Sequence, residues 1–258
     1  MVAGGLILFL LGAGVGLNQA QLPPATMELR EWERDLPAQG EGSDSGVTLN
    51  LGAHGRYSFP FGQVDRNAFV YNAGVVVIDR SVSWADLFHA GWGFDVELDL
   101  YFTGRGLTSP KGDLSAGLAF LFERSDFGGA SVSDSSGGNV KFGSLDTTGL
   151  LLGGVVLQPL GHGAYTKGVL AAGAVRYSSV NATFSGPGPT QFSDEVFQST
   201  WTIAGDLRAL IGYRFGSLGV NFGIGLRIQA PPSESSRVSI NSGAFWVFDL
   251  NFGLDLGF

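Results

Sequence analysis

Three histidines, His54, His89 and His162, carry the side chains best suited to proton transfer near neutral pH. Ser58 follows His54 closely, and Asp79, Ser83 and Asp86 lie just before His89, so every residue type of a Ser-His-Asp site is present. Such a site needs hydroxyl, imidazole and carboxylate within hydrogen-bond reach of one another, and no motif in the sequence fixes that geometry. Cys is absent, which excludes disulfides, thiolate metal sites and a cysteine nucleophile. The Gly-rich LGAGVG stretch near the N-terminus follows no strand and is no phosphate loop. The segment SDFGGASVSDSSGGN (125–139) contains Asp126 and Asp134, lacks the ligand density of a calcium loop, and reads as a mobile surface loop. No catalytic residue, metal site or cofactor is assigned on these grounds.

A second set of residues carries charge where charge is costly. Arg56, Asp95, Glu123, Asp206, Arg208, Arg227 and Asp249 each interrupt an otherwise apolar segment. Left unpaired in a dry interior they would cost several kcal/mol apiece, so they must pair or stay wet. Their role depends on the elements that hold them.

The chain has 258 residues, of which 15% are charged against about 25% in an ordinary soluble domain. Gly numbers 41 and Phe 20, and 44% of residues are hydrophobic. That composition excludes disorder. A net charge of -8 and a pI near 4.8 argue against nucleic acid as a partner. Residues 1–20, MVAGGLILFLLGAGVGLNQA, are expected to be a signal peptide cleaved after Ala20. Residues 21–46 are expected to be a periplasmic N-terminal segment with a short amphipathic helix, since Leu29, Trp32 and Leu36 share one helical face and Pro37 stops the run.

From residue 47 the period becomes two. Odd positions of 47–59 are apolar from Val47 to Phe59, as are even positions of 90–102 and of 248–258. Eight strands follow from this pattern: 47–59, 90–102, 114–124, 147–157, 165–177, 197–215, 218–229 and about 244–258. They exceed ordinary globular strands of ~5–6 residues and suit a membrane crossing of ~9–11. Aromatics cluster at strand ends, and long and short connections alternate, as in a closed antiparallel transmembrane β-barrel. Strand 147–157 has the weakest phase. Segments 68–78 and 125–146 could add strands, giving ten as the alternative.

In a barrel of eight strands side chains fill the interior. The seven charged residues above are expected to form its middle layer, with Arg56 between Asp95 and Asp249 because the first, second and last strands are neighbours on closure. His54 and His89 are expected to face inward toward the extracellular half, and His162 to sit in a periplasmic turn.

The terminal FDLNFGLDLGF places Phe248, Leu250, Phe252, Leu254, Leu256 and Phe258 at alternate positions. It resembles the C-terminal assembly signal of bacterial outer-membrane barrels, and residues 47–258 are similar in layout to small eight-stranded OmpA/OmpX/OmpW-type barrels. The resemblance implies a Gram-negative-type outer membrane with both termini periplasmic. It implies as partners the barrel assembly machinery, the lipid bilayer and lipopolysaccharide; it names no partner for the loops. The expected function is a non-enzymatic barrel with a filled lumen, serving envelope structure or surface-loop interactions. A narrow channel for small solutes is the alternative, and an outer-leaflet lipid-modifying enzyme (a lipid A acyltransferase or deacylase) the second.

Overall fold

The computed structural model describes residues 46–258 apart from 66–68, 72–74, 79, 109–112, 134–136, 186–190, 237 and 240–241. The expected signal peptide, the expected helix within 21–46, Asp79 and Asp134 lie outside the described residues. Eight antiparallel strands close into a barrel. They are β1 Thr48–Phe61, β2 Gly91–Thr103, β3 Ser115–Phe127, β4 Leu145–Gly161, β5 Ala164–Tyr177, β6 Thr200–Phe215, β7 Leu218–Gln229 and β8 Phe245–Gly257. Each pairs with its neighbours in sequence, and β1 closes on β8 from Asn50↔Gly257 to Phe61↔Trp246. With no open edge, every strand finds its backbone partners within the wall, as lipid demands.

Strand length and phase follow the sequence pattern. The strands span 12 to 17 residues, enough to cross a bilayer at a tilt. Leu51, Phe94, Phe222, Phe252 and Leu254 are exposed on the outer wall, whereas Asn50, Arg56, Asp95, Glu97 and Asp249 are buried inside it. A soluble sandwich would reverse this arrangement, so the outer wall is a lipid-facing surface.

At one end the connections are tight. His162 (φ 51°) and Gly163 (φ 85°) both take the left-handed conformation that a two-residue hairpin requires, and Gly216 (φ 67°) opens the turn to β7. At the other end, connections 62–90, 128–144, 178–199 and 230–244 build structure of their own. Strands Ser131–Ser133, Asn139–Phe142, Val180–Ser185 and Gln191–Phe197 form a four-stranded sheet. The segment 125–139 is therefore not a bare loop: it ends β3 and begins this sheet. Strands Phe69–Tyr71 and Val75–Ile78 pair with each other, and the former with Val238–Ser239. None of these enters the wall, so the ten-strand alternative is not realised.

β4 shows why its phase was hard to read. Leu150, Leu152 and Val156 face lipid, while Leu151, Val155 and Leu157 face inward, so both faces are apolar. Inside, they join Ala119, Leu121, Val169, Ala171, Val175 and Ala204 in one apolar cluster. The interior thus has an oily flank along β3, β4 and β5 and a charged flank elsewhere. Tyr165 fits only because Gly212 and Gly219 lie beneath it: a Cβ on Gly212 would stand 2.3 Å from its ring, and one on Gly219 2.7 Å from its hydroxyl.

Candidate functional site

The alternation that points Phe and Leu into lipid points ionised side chains at one another across the lumen. All seven charged residues expected there are buried inside it. Glu123 on β3 is the hub of the middle layer. Its Oε2 takes Arg56 Nη1 at 2.7 Å, its Oε1 takes Arg227 Nη1 at 2.6 Å, and Arg208 Nη2 approaches at 3.5 Å. Ser125 Oγ accepts from the second arm of both Arg56 (3.3 Å) and Arg227 (3.4 Å). Arg208 forks onto Asp206 at 3.0 and 3.1 Å and reaches Asp95 at 2.9 Å. Such charge-assisted, multiply shared contacts are what allow guanidinium groups to tolerate burial.

One expected neighbour is corrected. Arg56 meets Glu123, Asp95 (3.4 Å) and Asp206 (3.9 Å), whereas Asp249 is engaged by Ser58, which donates to it, and by Arg227 at 3.8 Å. Arg227 on β7 lies beside β8 and so screens Asp249 from Arg56.

Nearer the tight turns lies a second layer that the reading of the sequence did not assemble. Lys167 on β5 is fully buried, and its ammonium contacts Asp99 at 2.8 Å, Glu97 at 2.9 Å and Asp255 at 3.2 Å. An ammonium has three N–H donors, and here each has a carboxylate. Tyr101 donates to Asp99 (3.2 Å), while Tyr165 (3.2 Å) and Asn221 (2.8 Å) donate to Asp255. His54 links the layers, with Nδ1 2.8 Å from Asp95 and Nε2 3.3 Å from Asp255. The signal was present in the sequence: Glu97, Asp99 and Asp255 share the inward phase of their strands with residues that were singled out. Lys167, alone in an apolar strand, also holds that phase.

Both ends of the lumen are filled. At the turn end, the 3-10 turn Gly106–Thr108 inserts Leu107, buried against Gly219 and Gly257, and Arg214 Nη1 ties its carbonyl at 2.6 Å. At the loop end, Trp84 is wholly buried, with Phe245 at 5.0 Å, Phe197 at 5.7 Å and Phe88 at 6.3 Å between ring centroids. Its indole N–H points to the carbonyls of Ala244 (3.1 Å) and Gly243 (3.3 Å). Phe127, Tyr177 and Val247 from the barrel rim join Val132, Val140, Val180 and Val196 from the loops in the same core. The short helix Trp84–Leu87 that presents Trp84 starts with a reciprocal cap: Ser83 Oγ accepts from Asp86 N, and Asp86 accepts from Ser83 N at 2.8 Å. Burial pushes the Asp86 carboxyl up, but the Ser83 hydrogen bonds and the Arg80 guanidinium outweigh it and hold the group below the usual carboxylate range.

The residue types of a Ser-His-Asp site do not converge. His54 sits between the two charged layers, not at the mouth; Ser58 serves Asp249; Ser83 and Asp86 cap the helix; and His89 is exposed instead of facing inward. His162 does occupy a tight turn. Among the described residues, His54, Asp95 and Glu97 bring metal-ligand atoms within 4.8 Å of one another, but Arg208 and Lys167 already hold these carboxylates and their fixed charges oppose a cation. Of the buried ions named, seven carboxylates (Asp95, Glu97, Asp99, Glu123, Asp206, Asp249, Asp255) face four permanent cations (Arg56, Lys167, Arg208, Arg227).

No protein-family model matches the sequence, and no curated protein is significantly similar to it. Among solved structures, the chain is similar to the attachment invasion locus protein Ail of Yersinia pestis, at 11% identity over 81% of this chain and 99% of that one, with a TM-score of 0.36. It is similar to the outer membrane protease OmpT of Escherichia coli, at 10% identity over 84% and 98% of the two chains, with a TM-score of 0.47. A major outer membrane protein of Thermus thermophilus gives 13% identity over 83% and 100%, with a TM-score of 0.37. At these values none of the likenesses carries a functional argument.

Proposed function

We propose that the protein is an integral outer-membrane barrel with a closed lumen, acting through its presence in the envelope and its ordered loop end, without catalysis. One observation carries this reading: the lumen is occupied along its length, by Leu107 at the turn end, two ion-paired layers in the middle and the Trp84 core at the loop end. A filled eight-stranded barrel has no continuous path for solute. The alternation of tight and long connections supports short turns in the periplasm and the long ones outside, which puts both ends of the barrel segment on the periplasmic side. The C-terminal run ending at Phe258 supports insertion by the barrel assembly machinery. Single-channel recording in planar bilayers tests the reading: the full chain should give no steady conductance. A stable, ion-selective conductance would replace it with the narrow channel that the charged flank of the lumen could line. Lipid mass spectrometry of cells with and without the protein should show no change in outer-leaflet lipids, and a protein-dependent gain or loss of an acyl chain would establish an enzyme.

A further inference from the structure

The outward phase of the barrel strands is apolar almost throughout, and its exceptions lie together. Its charged residues, among those described, are Arg124 and Asp126 on β3, Asp146 on β4 and Arg176 on β5, on three adjacent strands at the loop end. Register orders them in two rows. The row nearer the loops runs Trp92–Asp126–Asp146, and the next runs Phe94–Arg124–Thr148–Arg176–Trp201. Directly below, toward the membrane centre, the same face becomes a groove of about 460 Å³ lined by Phe120, Phe122, Leu150, Leu152, Ala172 and Val96. Elsewhere on the wall this level carries only Tyr, Phe, Trp, Leu and Ile, so the two arginines are not a generic feature of the rim.

We propose that this face binds one phosphorylated, acylated lipid of the leaflet at the loop end, its phosphate between Arg124 and Arg176 over Thr148 and one acyl chain in the groove below. Strands stand about 4.8 Å apart, so the two guanidinium stems start roughly 10 Å from each other, on either side of a phosphate-sized gap. Arg124 is exposed and its contact to Asp146 is loose at 3.7 Å; Arg176 donates to Ser199 at 3.2 Å and has no carboxylate partner. Both can turn further donors to an anion. The acidic pair sits one row toward water, above the phosphate, where it orients Arg124 without occupying the site. Trp92 and Trp201 flank the row and are exposed, as interfacial aromatics are. The proposal rests on the membrane-barrel reading but not on which leaflet the loop end faces.

The test uses the full chain inserted in phosphatidylcholine vesicles containing a minor fraction of acyl-brominated phosphatidic acid or acyl-brominated phosphatidylcholine, with tryptophan quenching as the readout. The phosphatidate should associate about fivefold more strongly than phosphatidylcholine. Arg124→Gln with Arg176→Gln should bring that ratio to about one. Ala172→Phe, which fills the groove from the lipid side, should lower quenching by the phosphatidate in a barrel that still folds. Equal quenching by both lipids in the wild type, or a ratio unchanged in the double variant, overturns the proposal. Cross-linking of two copies through this face with no lipid preference would overturn it too, and assign the surface to self-association. Folding into the vesicles is read separately by heat-modifiable migration, so a negative result leaves the sealed-barrel reading distinguishable.

Discussion

Replacing Lys167 by Met keeps the length of the side chain and removes only its charge, at the point where three carboxylates share one ammonium. Asp255 would retain His54, Tyr165 and Asn221, but Glu97 and Asp99 would keep only Arg208 at 3.6 Å and the Tyr101 hydroxyl. Breaking a buried pair and stranding its partner costs about 3–5 kcal/mol, and here more than one partner is stranded, so we expect at least that loss. With a urea slope of about 2 kcal/mol/M, the unfolding midpoint in vesicles should fall by roughly 2 M. Glu97→Gln is the matched control. It removes an anion from a lumen in which carboxylates outnumber cations, leaves Lys167 with Asp99 and Asp255, and should cost less than about 1 kcal/mol. The two variants alter the same 2.9 Å contact, so a simple pair energy would make them equal. Equal losses, or a larger one for Glu97→Gln, would refute the idea that the excess of negative charge governs the interior.

Trp84→Ala should open a cavity in the loop-end core worth about 3–5 kcal/mol of local stability, read as faster amide exchange in 128–144 and 178–199 with the barrel strands still protected. The Asp86 carboxyl lies below its ordinary range in the folded chain, so its contribution is intact above the unfolded carboxylate pKa and is lost as pH falls through the folded value. Amide exchange around Ser83 to Phe88 should therefore rise on acidification below about pH 4, and Asp86→Asn should remove that dependence. Deleting Phe258, which is exposed at the strand end, should reduce outer-membrane levels far more than it alters unfolding of refolded protein, where the direct loss is at most about 1.5–3 kcal/mol. Intact mass of protein from outer-membrane fractions should correspond to a chain starting at Gln21; retention of Met1 to Ala20 would show an uncleaved N-terminus.

Much of the wall was legible because period two is a strong signal wherever one face is polar. β1, β2 and β8 alternate cleanly and fall in the expected phase, and the middle-layer ions follow from that phase alone. β4 was not clean because the interior beside it is itself oily. The Lys167 layer escaped because a register across strands, not a pattern along one, brings β2, β5 and β8 to the same height. The loop-end sheet was illegible for another reason. Its strands are as short as Ser131–Ser133, and its core draws Phe245 and Tyr177 from barrel strands whose outward phase says nothing of a cap.

The inward ions also bear on how such a chain reaches its membrane. Before closure, Glu97, Asp99, Arg208 and Asp255 punctuate their segments on alternate residues, so these stretches have no long uncharged run. β4, the oiliest strand at 17 residues, still carries Asp146, Gln158 and several glycines. A lateral gate that retains stretches of about 20 apolar residues would therefore find nothing in the barrel segment to hold. Greasiness distributed on alternate residues is invisible to a device that senses it by length. It becomes continuous only when the ribbon curls and hides its charges from the lipid, so a wall that is fully apolar outside can pass through a first bilayer without lodging there.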